Sequence, residues 1–364
     1  MKILLACGGT GGHIFPAFSV AEELKRRNPA AEIVYVCGNK DIEDQIFKIV
    51  VHERVIPIES AALPRGAALL NPTFLLKLIE GFSQAKRLLR TEKPDAVVGF
   101  GGHFSFPVVL MARVLGFKTL IHEQNVKPGA ANRVLRPWVR GIAVSFPETL
   151  GFFPKRRNVY LTGNPIRSAI ETAPKKEALS FFGFSENKKT LLVLGGSQGA
   201  GAINTLFLAA LPLLPAWFKE KVQVLHLCGK MPKAEAARAF QKAGLDARVY
   251  SFFDRMDLAY AAADFALGRA GATFLAEIAF KNIPAVLVPY PHGDGHQREN
   301  ARVYSRTHRA CVTEQSELTP AKLKDLIVDY AGKNFKADDT DGNFRADTNA
   351  RILLADCILG LAQK

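Results

Sequence analysis

Short, almost wholly apolar runs alternate with longer mixed runs along most of the chain. The first half carries "KILLAC", "EIVYVC", "DAVVGF", "KTLIH" and "GIAVS"; the second carries "TLLVLG", "VQVLHL", "ARVYSF", "DFALG" and "AVLVPY". A strand whose successive side chains are all apolar has no face to offer water, so these runs predict parallel sheets covered on both sides. The segments between them, such as "PAFSVAEELKRR", "GAINTLFLAALPLL" and "ATFLAEIAFK", supply the covering helices.

The two halves open alike. Laying Leu4 on Leu191 sets "LLACGGTGGH" over "LLVLGGSQGA", so that Gly8, Gly9 and Gly12 meet Gly195, Gly196 and Gly199, and Thr10 meets Ser197. Each unit reads strand, glycine turn, helix. The expected fold is α/β: two Rossmann-like parallel-sheet domains facing a cleft, residues 1–162 and 163–342, joined near "LTGNPIRS". The polar stretch "GKNFKADDTDGNFRADTNA" leads into a last helix within 343–364 that packs back on the first domain.

Composition narrows the class. A chain of 364 residues exceeds one ordinary core, and 48% hydrophobic content excludes disorder. The balance of 48 basic against 34 acidic residues, a net charge of +14, implies an anionic partner: nucleic acid, a phosphorylated substrate or an acidic membrane. Neither paired Cys/His ligands nor an aromatic RNA-binding signature is present, so nucleic acid is set aside. The five cysteines are scattered without a C-x-x-C pair, which argues against zinc or a disulfide framework and fits a reducing compartment. Lys2 with "ILLAC" looks like a lipoprotein export signal ending on Cys7, but Ile3 to Cys7 is shorter than the roughly 7–15 apolar residues such a signal needs. No apolar run reaches the roughly 18 residues of a membrane span. The expectation is a cytoplasmic protein.

The glycine turns carry the chemistry. Each would expose backbone N–H groups at a helix N-terminus, where the dipole amounts to about half a positive charge, and glycine lets a phosphate approach closely. Tight turns without a ligand look similar, but a matched pair with a hydroxyl residue in one slot favours a pyrophosphate. No Walker loop occurs. The dinucleotide fingerprint fails at Ile14, and "VCGN" ends the second strand without a ribose-binding acid. His13 stands where the second half has Ala200, so it is the candidate for proton transfer; an imidazole ordinarily titrates near pKa 6.5. A capping or packing histidine is the alternative. "GFGGHFSFP" repeats the theme, with His103 shaping its loop rather than catalysing.

Polar groups cluster at other strand ends. "HEQNVKPGAANR" sets His122, Glu123, Gln124 and Asn125 after one strand. Glu277, in "GRAGATFLAE", is positioned to accept from ribose hydroxyls, unless it is an ordinary surface helical glutamate. His296 and Gln297, in "PYPHGDGHQREN", suit sugar hydroxyls because they both donate and accept. "DTD" at 339–341 imitates a cation-holding triplet but reads as a solvated loop, so no metal is assigned.

Taken in order, "GGTGGHIFPA", "GFGGHFSFP", "HEQNVKPGAANR", "TGNPIR", "GGSQGA", "RAGATFLAE" and "HQREN" resemble the successive motifs of the MurG family of N-acetylglucosaminyltransferases, over residues 3 to about 303. The resemblance implies a GT-B fold, inverting transfer and no tightly bound cofactor or metal. The donor would be UDP-N-acetylglucosamine. The acceptor would be the muramyl 4-hydroxyl of undecaprenyl-linked lipid I, and the product lipid II for peptidoglycan. It implies that Ser197 meets the donor phosphates and that Arg167 lies in the donor site. The Phe253 backbone would meet uracil, and the helix start at Ala272, Thr273, Phe274, Leu275 and Ala276 would face the pyrophosphate. Glu277 would take the ribose and Gln297, beside His296, the sugar. Thr10, Gly11, Gly12 and Asn125 would approach the donor from the first domain, with His13 as base, while the loops at Gly9, Gly101, Gly102 and His103 would take the acceptor pyrophosphate. Phe253 replaces a frequent aliphatic residue, and His296–Gln297 replaces a double glutamine.

A lipid acceptor requires membrane contact without a span. Phe74, Leu75, Leu78, Ile79 and Phe82 would form an apolar face flanked by Lys77, Lys86, Arg87 and Arg90, suited to an anionic inner-membrane surface. Arg133, Arg136, Trp138 and Arg140 would extend it; a helix simply packed on the sheet is the alternative. The expected location is peripheral, on the cytoplasmic membrane face, with other cell-wall or division proteins as further partners. Rival readings are a UDP-sugar galactolipid synthase, a UDP-sugar epimerase and a non-catalytic nucleotide-sugar-binding partner.

Overall fold

An unbroken apolar run has to bury both its faces, and strand β1 (Lys2–Ala6) does so. Ile3 and Leu5 pack with helix α1 (Gly11–Arg27) and the C-terminal helix (Ala350–Gln363), whereas Leu4 and Ala6 pack with the layer on the opposite side. The computed structural model describes residues 1–38, 53–61, 72–153, 158–196, 200–292, 294–333 and 349–363. The chain divides into two compact units, Met1–Arg167 with Asp347–Lys364, and Ser168–Ala346. The division falls a few residues after the expected 162/163 boundary, which puts Arg167 in the first unit.

In that unit β2 (Glu32–Cys37), β3 (Arg54–Pro57), β4 (Ala96–Gly99), β5 (Thr119–Glu123), β6 (Gly141–Val144) and β7 (Val159–Leu161) join β1 in a parallel sheet. The order is β3-β2-β1-β4-β5-β6-β7. Leu4 therefore pairs with Val34 on one side and Val97 on the other. The chain winds outward from β1 through β2, then crosses to β4. That reversal opens a crevice at the carboxyl ends of β1 and β4, where open α/β sheets bind ligands. Helices α2 (Pro72–Glu92), α3 (Gly102–Val114) and α4 (Ala130–Leu135) complete the unit.

The C-terminal helix belongs to the first unit. Leu354, Ala355 and Ile358 enter the core beside Ile3 and Leu5. Glu23, on α1, fastens the same face: its buried carboxylate accepts from Arg26 (2.8 and 2.9 Å) and from Arg27 Nε (2.6 Å), with Arg351 Nε at 3.7 Å. The Arg26 hydrogen bond, against the opposing effect of burial, holds the Glu23 carboxyl down at about 2. A carboxylate lowered on folding stabilises the native state above its ordinary titration range, and that contribution is lost as pH falls toward the folded value. Glu23→Gln should therefore cost about 1–3 kcal/mol at neutral pH. Urea midpoints of variant and wild type should converge as pH falls from about 4.5 to about 2, and a gap that persists at pH 2 would contradict the assignment.

The second unit repeats the scheme. Strands β8 (Lys189–Leu194), β9 (Val222–Leu227), β10 (Ala247–Tyr250), β11 (Phe265–Gly268), β12 (Ala285–Leu287) and β13 (Ala310–Val312) lie parallel in the order β10-β9-β8-β11-β12-β13. Its helices include α5 (Gly201–Ala210), α6 (Lys233–Ala243), α7 (Met256–Ala262), α8 (Ala272–Phe280), α9 (His296–Tyr304) and α10 (Pro320–Gly332). Leu191 and Val193 of β8 pack with Ile203, Phe207, Phe240 and Ile327. The winding again reverses between β8 and β11. A Cβ on Gly268 would stand 2.8 Å from the Leu194 carbonyl, so β11 ends on the one residue that fits there. Among the described residues no helix is long and apolar enough to cross a membrane, and no group of His, Cys, Asp or Glu is placed to hold a metal ion. The triplet at 339–341 lies outside the described residues.

Candidate active site

Two glycine loops meet at the carboxyl ends of β1 and β4. The Gly8 contact fixes which tautomer the His13 ring takes when it is neutral: Nδ1 lies 3.0 Å from the Gly8 carbonyl oxygen. A carbonyl only accepts, so Nδ1 carries the proton and Nε2 the lone pair. Thr10 Oγ1 stands 3.4 Å from the same nitrogen. The ring lies against the other loop, where a Cβ on Gly101 would be 3.4 Å from His13 Cδ2 and Nε2. One on Gly102 would be 3.3 Å from Nδ1 and 3.0 Å from the Gly8 oxygen. Reciprocally, the nearest atom to a Cβ on Gly9 is His103 Cε1, at 3.9 Å. Each histidine thus sits over the other loop's glycines, and Gly9, Gly101 and Gly102 all take positive φ.

Helices α1 and α3 start from these loops, so the positive ends of two helix dipoles come to one corner. Gly11 and Gly12 open α1, after an extended Thr10. Each helix carries a proline in its second turn, Pro16 and Pro107. Pro107 has no N–H for the His103 carbonyl four residues back; that oxygen accepts from Ser60 Oγ instead, at 2.8 Å.

The "HEQN" run separates into one half-buried residue and three buried supports. His122 is enclosed, with Nε2 3.1 Å from the Gly163 carbonyl and Nδ1 3.0 Å from Gln124 Nε2. Burial pulls its imidazole down to about 4, so it is neutral at physiological pH. Glu123 accepts from Asn125 N (3.0 Å) and Nδ2 (3.1 Å), Gly129 N (2.9 Å) and Asn132 Nδ2 (2.8 Å). These three residues shape the loop, and Asn125 is the one held half-exposed at its tip. Arg167 places its guanidinium 4.3 Å from the Phe15 ring centroid on α1, a first-unit contact that the donor-domain assignment did not foresee.

In the second unit Ser197 lies outside the described residues. A cavity of about 290 Å³ at the strand ends is lined by Gly195, Gly201, Arg269, Tyr290, Gln297 and Gln315 among others. Gln297, on the first turn of α9 next to His296, accepts from Tyr290 N at 2.9 Å. Arg269 is the group that sequence reasoning passed over. It is 7% exposed, donates to the carbonyls of Val288 and Pro289 (3.1 Å each) and to Gln315 Oε1 (2.6 Å), and has its guanidinium 5.4 Å from the Tyr290 ring centroid. Burial lowers its affinity for the proton. Its signal was an arginine between two glycines, immediately after a strand and before a helix. A larger hollow of about 460 Å³ runs along edge strand β10 beneath α6, and none of the predicted site residues lines it.

Helix α8 starts at Ala272, and Thr273, Phe274 and Leu275 are buried with it, leaving Ala276 partly open. Glu277 is 4% exposed, which excludes the surface-glutamate alternative. Phe253 packs its ring among Phe181, Phe182 and Tyr250, at centroid distances of 4.8–6.0 Å.

The expected membrane face on α2 is narrower than drawn from the sequence. Gly81, Ala85, Leu88 and Leu89 form the buried arc. Phe74, Leu78 and Phe82 flank it half-buried, Phe82 meeting Phe106 edge-on at 5.8 Å. The outward stripe is Leu75, Leu76 (66% exposed) and Ile79 (65%), with Lys77, Lys86, Arg87 and Arg90 exposed around it.

Known proteins match this architecture from end to end. Residues 3–144 match the glycosyltransferase family 28 N-terminal domain and residues 190–351 its C-terminal domain. The UDP-N-acetylglucosamine–N-acetylmuramyl-(pentapeptide) pyrophosphoryl-undecaprenol N-acetylglucosamine transferase of Halothermothrix orenii is 41% identical over 357 residues, covering 92% of each chain. That of Geotalea daltonii is 37% identical, over 95% of this chain and 93% of its own. The crystal structure of Acinetobacter baumannii MurG superposes with a TM-score of 0.70 at 26% identity, covering 99% of both chains. A UDP-GlcNAc 2-epimerase from Neisseria meningitidis, at 14% identity and TM-score 0.68 over 99% of this chain and all of its own, shares the fold alone. The chain belongs to the MurG family of N-acetylglucosamine transferases, with the two-domain GT-B fold of that family.

Proposed function

We propose that the chain transfers N-acetylglucosamine, with inversion, from UDP-N-acetylglucosamine to the muramyl 4-hydroxyl of undecaprenyl-pyrophosphoryl-MurNAc-pentapeptide, forming lipid II. The observation that carries this reading is the relationship to transferases of that name along nearly the whole of both chains, glycine loops of both units included. In the transfer, the acceptor oxygen bonds to the anomeric carbon as the bond from that carbon to the UDP oxygen breaks, the electron pair leaving with UDP. The hydroxyl proton goes to His13 Nε2, the ring atom that the Gly8 contact leaves basic. Negative charge grows on the leaving pyrophosphate. The α8 start and the adjacent Arg269, a cation held at the strand ends by carbonyls and an amide, supply opposing charge of the kind that stabilises it. Ser197 assists at the phosphates, Glu277 takes the ribose, the Phe253 backbone takes uracil, and Gln297 with His296 reads the sugar. The corner made by Gly9, Gly101, Gly102 and His103, with two helix N-termini behind it, takes the acceptor pyrophosphate.

The enzyme acts from the cytoplasmic face of the cell membrane, held peripherally by α2. Apolar Leu75, Leu76 and Ile79 enter the interface while Lys86, Arg87 and Arg90 meet anionic headgroups. Leu76→Ser with Ile79→Ser should lower sedimentation with phosphatidylglycerol-rich vesicles about tenfold. Salt should weaken it further. Vesicle binding equal to wild type would refute this surface.

The reaction is tested by offering a lipid I analogue and diacylglycerol side by side, each with UDP-N-acetylglucosamine and UDP-galactose. Product from lipid I and UDP-N-acetylglucosamine alone is expected. Galactosyl-diacylglycerol would favour the galactolipid synthase, and no product from any pair would favour a binding partner without catalysis.

A further inference from the structure

Glu277 does not stand alone in its buried setting. Tyr260, on α7 and 2% exposed, donates its phenolic hydrogen to Glu277 Oε2 across 2.6 Å. Phenylalanine would fill the same volume, so packing does not explain the hydroxyl. A bond this short, between a neutral donor and a carboxylate in a water-poor site, is of the charge-assisted class. It also removes freedom that a glutamate otherwise has, because the last torsion of the side chain is broad and its carboxylate plane is free to turn. With Oε2 anchored, the direction in which Oε1 faces is set.

The bond also joins two elements. Helix α7 begins directly after the loop carrying Phe253, with Arg255 and Asp257 paired across its first turn (2.8 Å). Helix α8 carries Glu277 and begins at the glycine turn after β11. The Tyr260 and Phe274 rings lie 6.4 Å apart beside the bond. This hydrogen bond thus links the segment assigned to the base with the segment assigned to the ribose.

We infer that Tyr260 is a positioning residue for donor recognition: it fixes the Glu277 carboxylate so that the enzyme selects a nucleotide bearing free ribose hydroxyls. This rests on the reading of Glu277 as the ribose acceptor. Calorimetry on the full chain, with UDP and 2′,3′-dideoxy-UDP as probes, tests it. Wild type should prefer UDP. Tyr260→Phe should narrow that preference about tenfold, the scale of one hydrogen bond to a charged group. It should raise the KM for UDP-N-acetylglucosamine and leave kcat little changed. In the Glu277→Gln background Tyr260→Phe should add nothing. The preference is a ratio measured on one preparation, so a partly unfolded variant does not alter it. Glu277→Asp, which withdraws the carboxylate while keeping Tyr260, should narrow it too. A wild-type preference in Tyr260→Phe, or equal narrowing by Tyr260→Phe with and without Glu277→Gln, overturns the positioning role. A wild-type preference in Glu277→Gln overturns the ribose reading itself.

Discussion

Turnover should fall about 10²–10⁴-fold in His13→Ala, with UDP affinity near wild type. The argument is geometric before it is electrostatic. Nδ1 is committed to the Gly8 carbonyl, so in its neutral form the ring has Nε2 as its basic nitrogen. The nucleotide contacts assigned to Glu277, Gln297, Arg269 and the Phe253 backbone lie on other residues, in the second unit, and should survive the truncation. The competing role for His13 is mechanical, since its ring braces Gly101 and Gly102. His13→Asn separates the two. Asparagine keeps a donor near the Gly8 carbonyl but has no atom equivalent to a basic Nε2. Wild-type turnover in either variant, measured with a lipid I analogue at saturating donor, would remove His13 from proton transfer.

Gly102→Ala should be nearly as damaging, by a different route. Its φ of +75 is costly for any residue with a Cβ, by about 1–2 kcal/mol. The added methyl would also stand 3.0 Å from the Gly8 oxygen and 3.3 Å from His13 Nδ1, beside the bond that sets the tautomer. Neither neighbour is the far end of a flexible chain, so the loops must part. A stability loss of about 2–4 kcal/mol is expected. Turnover should drop by about 10²-fold, as for a catalytic group displaced by an ångström. Gly116→Ala is the control: φ there is +86, and nothing lies within 4 Å of the added carbon. It should cost about 1–2 kcal/mol and leave turnover unchanged. Equal turnover losses in the two variants would show that the effect is not local to the loops.

The two-domain plan was readable in the letters because a strand buried on both faces is written as an unbroken apolar run. "KILLAC" and "TLLVLG" are such runs, each followed by glycines at matching places. That reading did not single out Glu23, whose arginine partners hide it among ordinary helical charges. Within "HEQN" the four polar letters looked equivalent. Burial distinguishes them, since His122, Glu123 and Gln124 face inward hydrogen-bond partners while Asn125 stands at the tip. On α2 the letters drew a face of Phe74, Leu75, Leu78, Ile79 and Phe82, and the burial of Gly81, Ala85 and Leu88 leaves Leu76 exposed and Phe82 half-buried against Phe106.

Local order in this protein follows from period and composition: strand, glycine turn and helix, twice over, with a histidine in one copy of the turn. Those are properties of neighbours along the chain. The direction of the His13 lone pair depends on Gly8, and its setting depends on Gly101 and Gly102 almost a hundred residues away. The orientation of Glu277 depends on Tyr260 one helix earlier, and the charge on Arg269 is held by carbonyls just past the end of the next strand. Each is a contact between segments whose spacing in sequence is arbitrary. No pattern of letters encodes such contacts until the apolar strands assemble and bring their carboxyl ends to one edge.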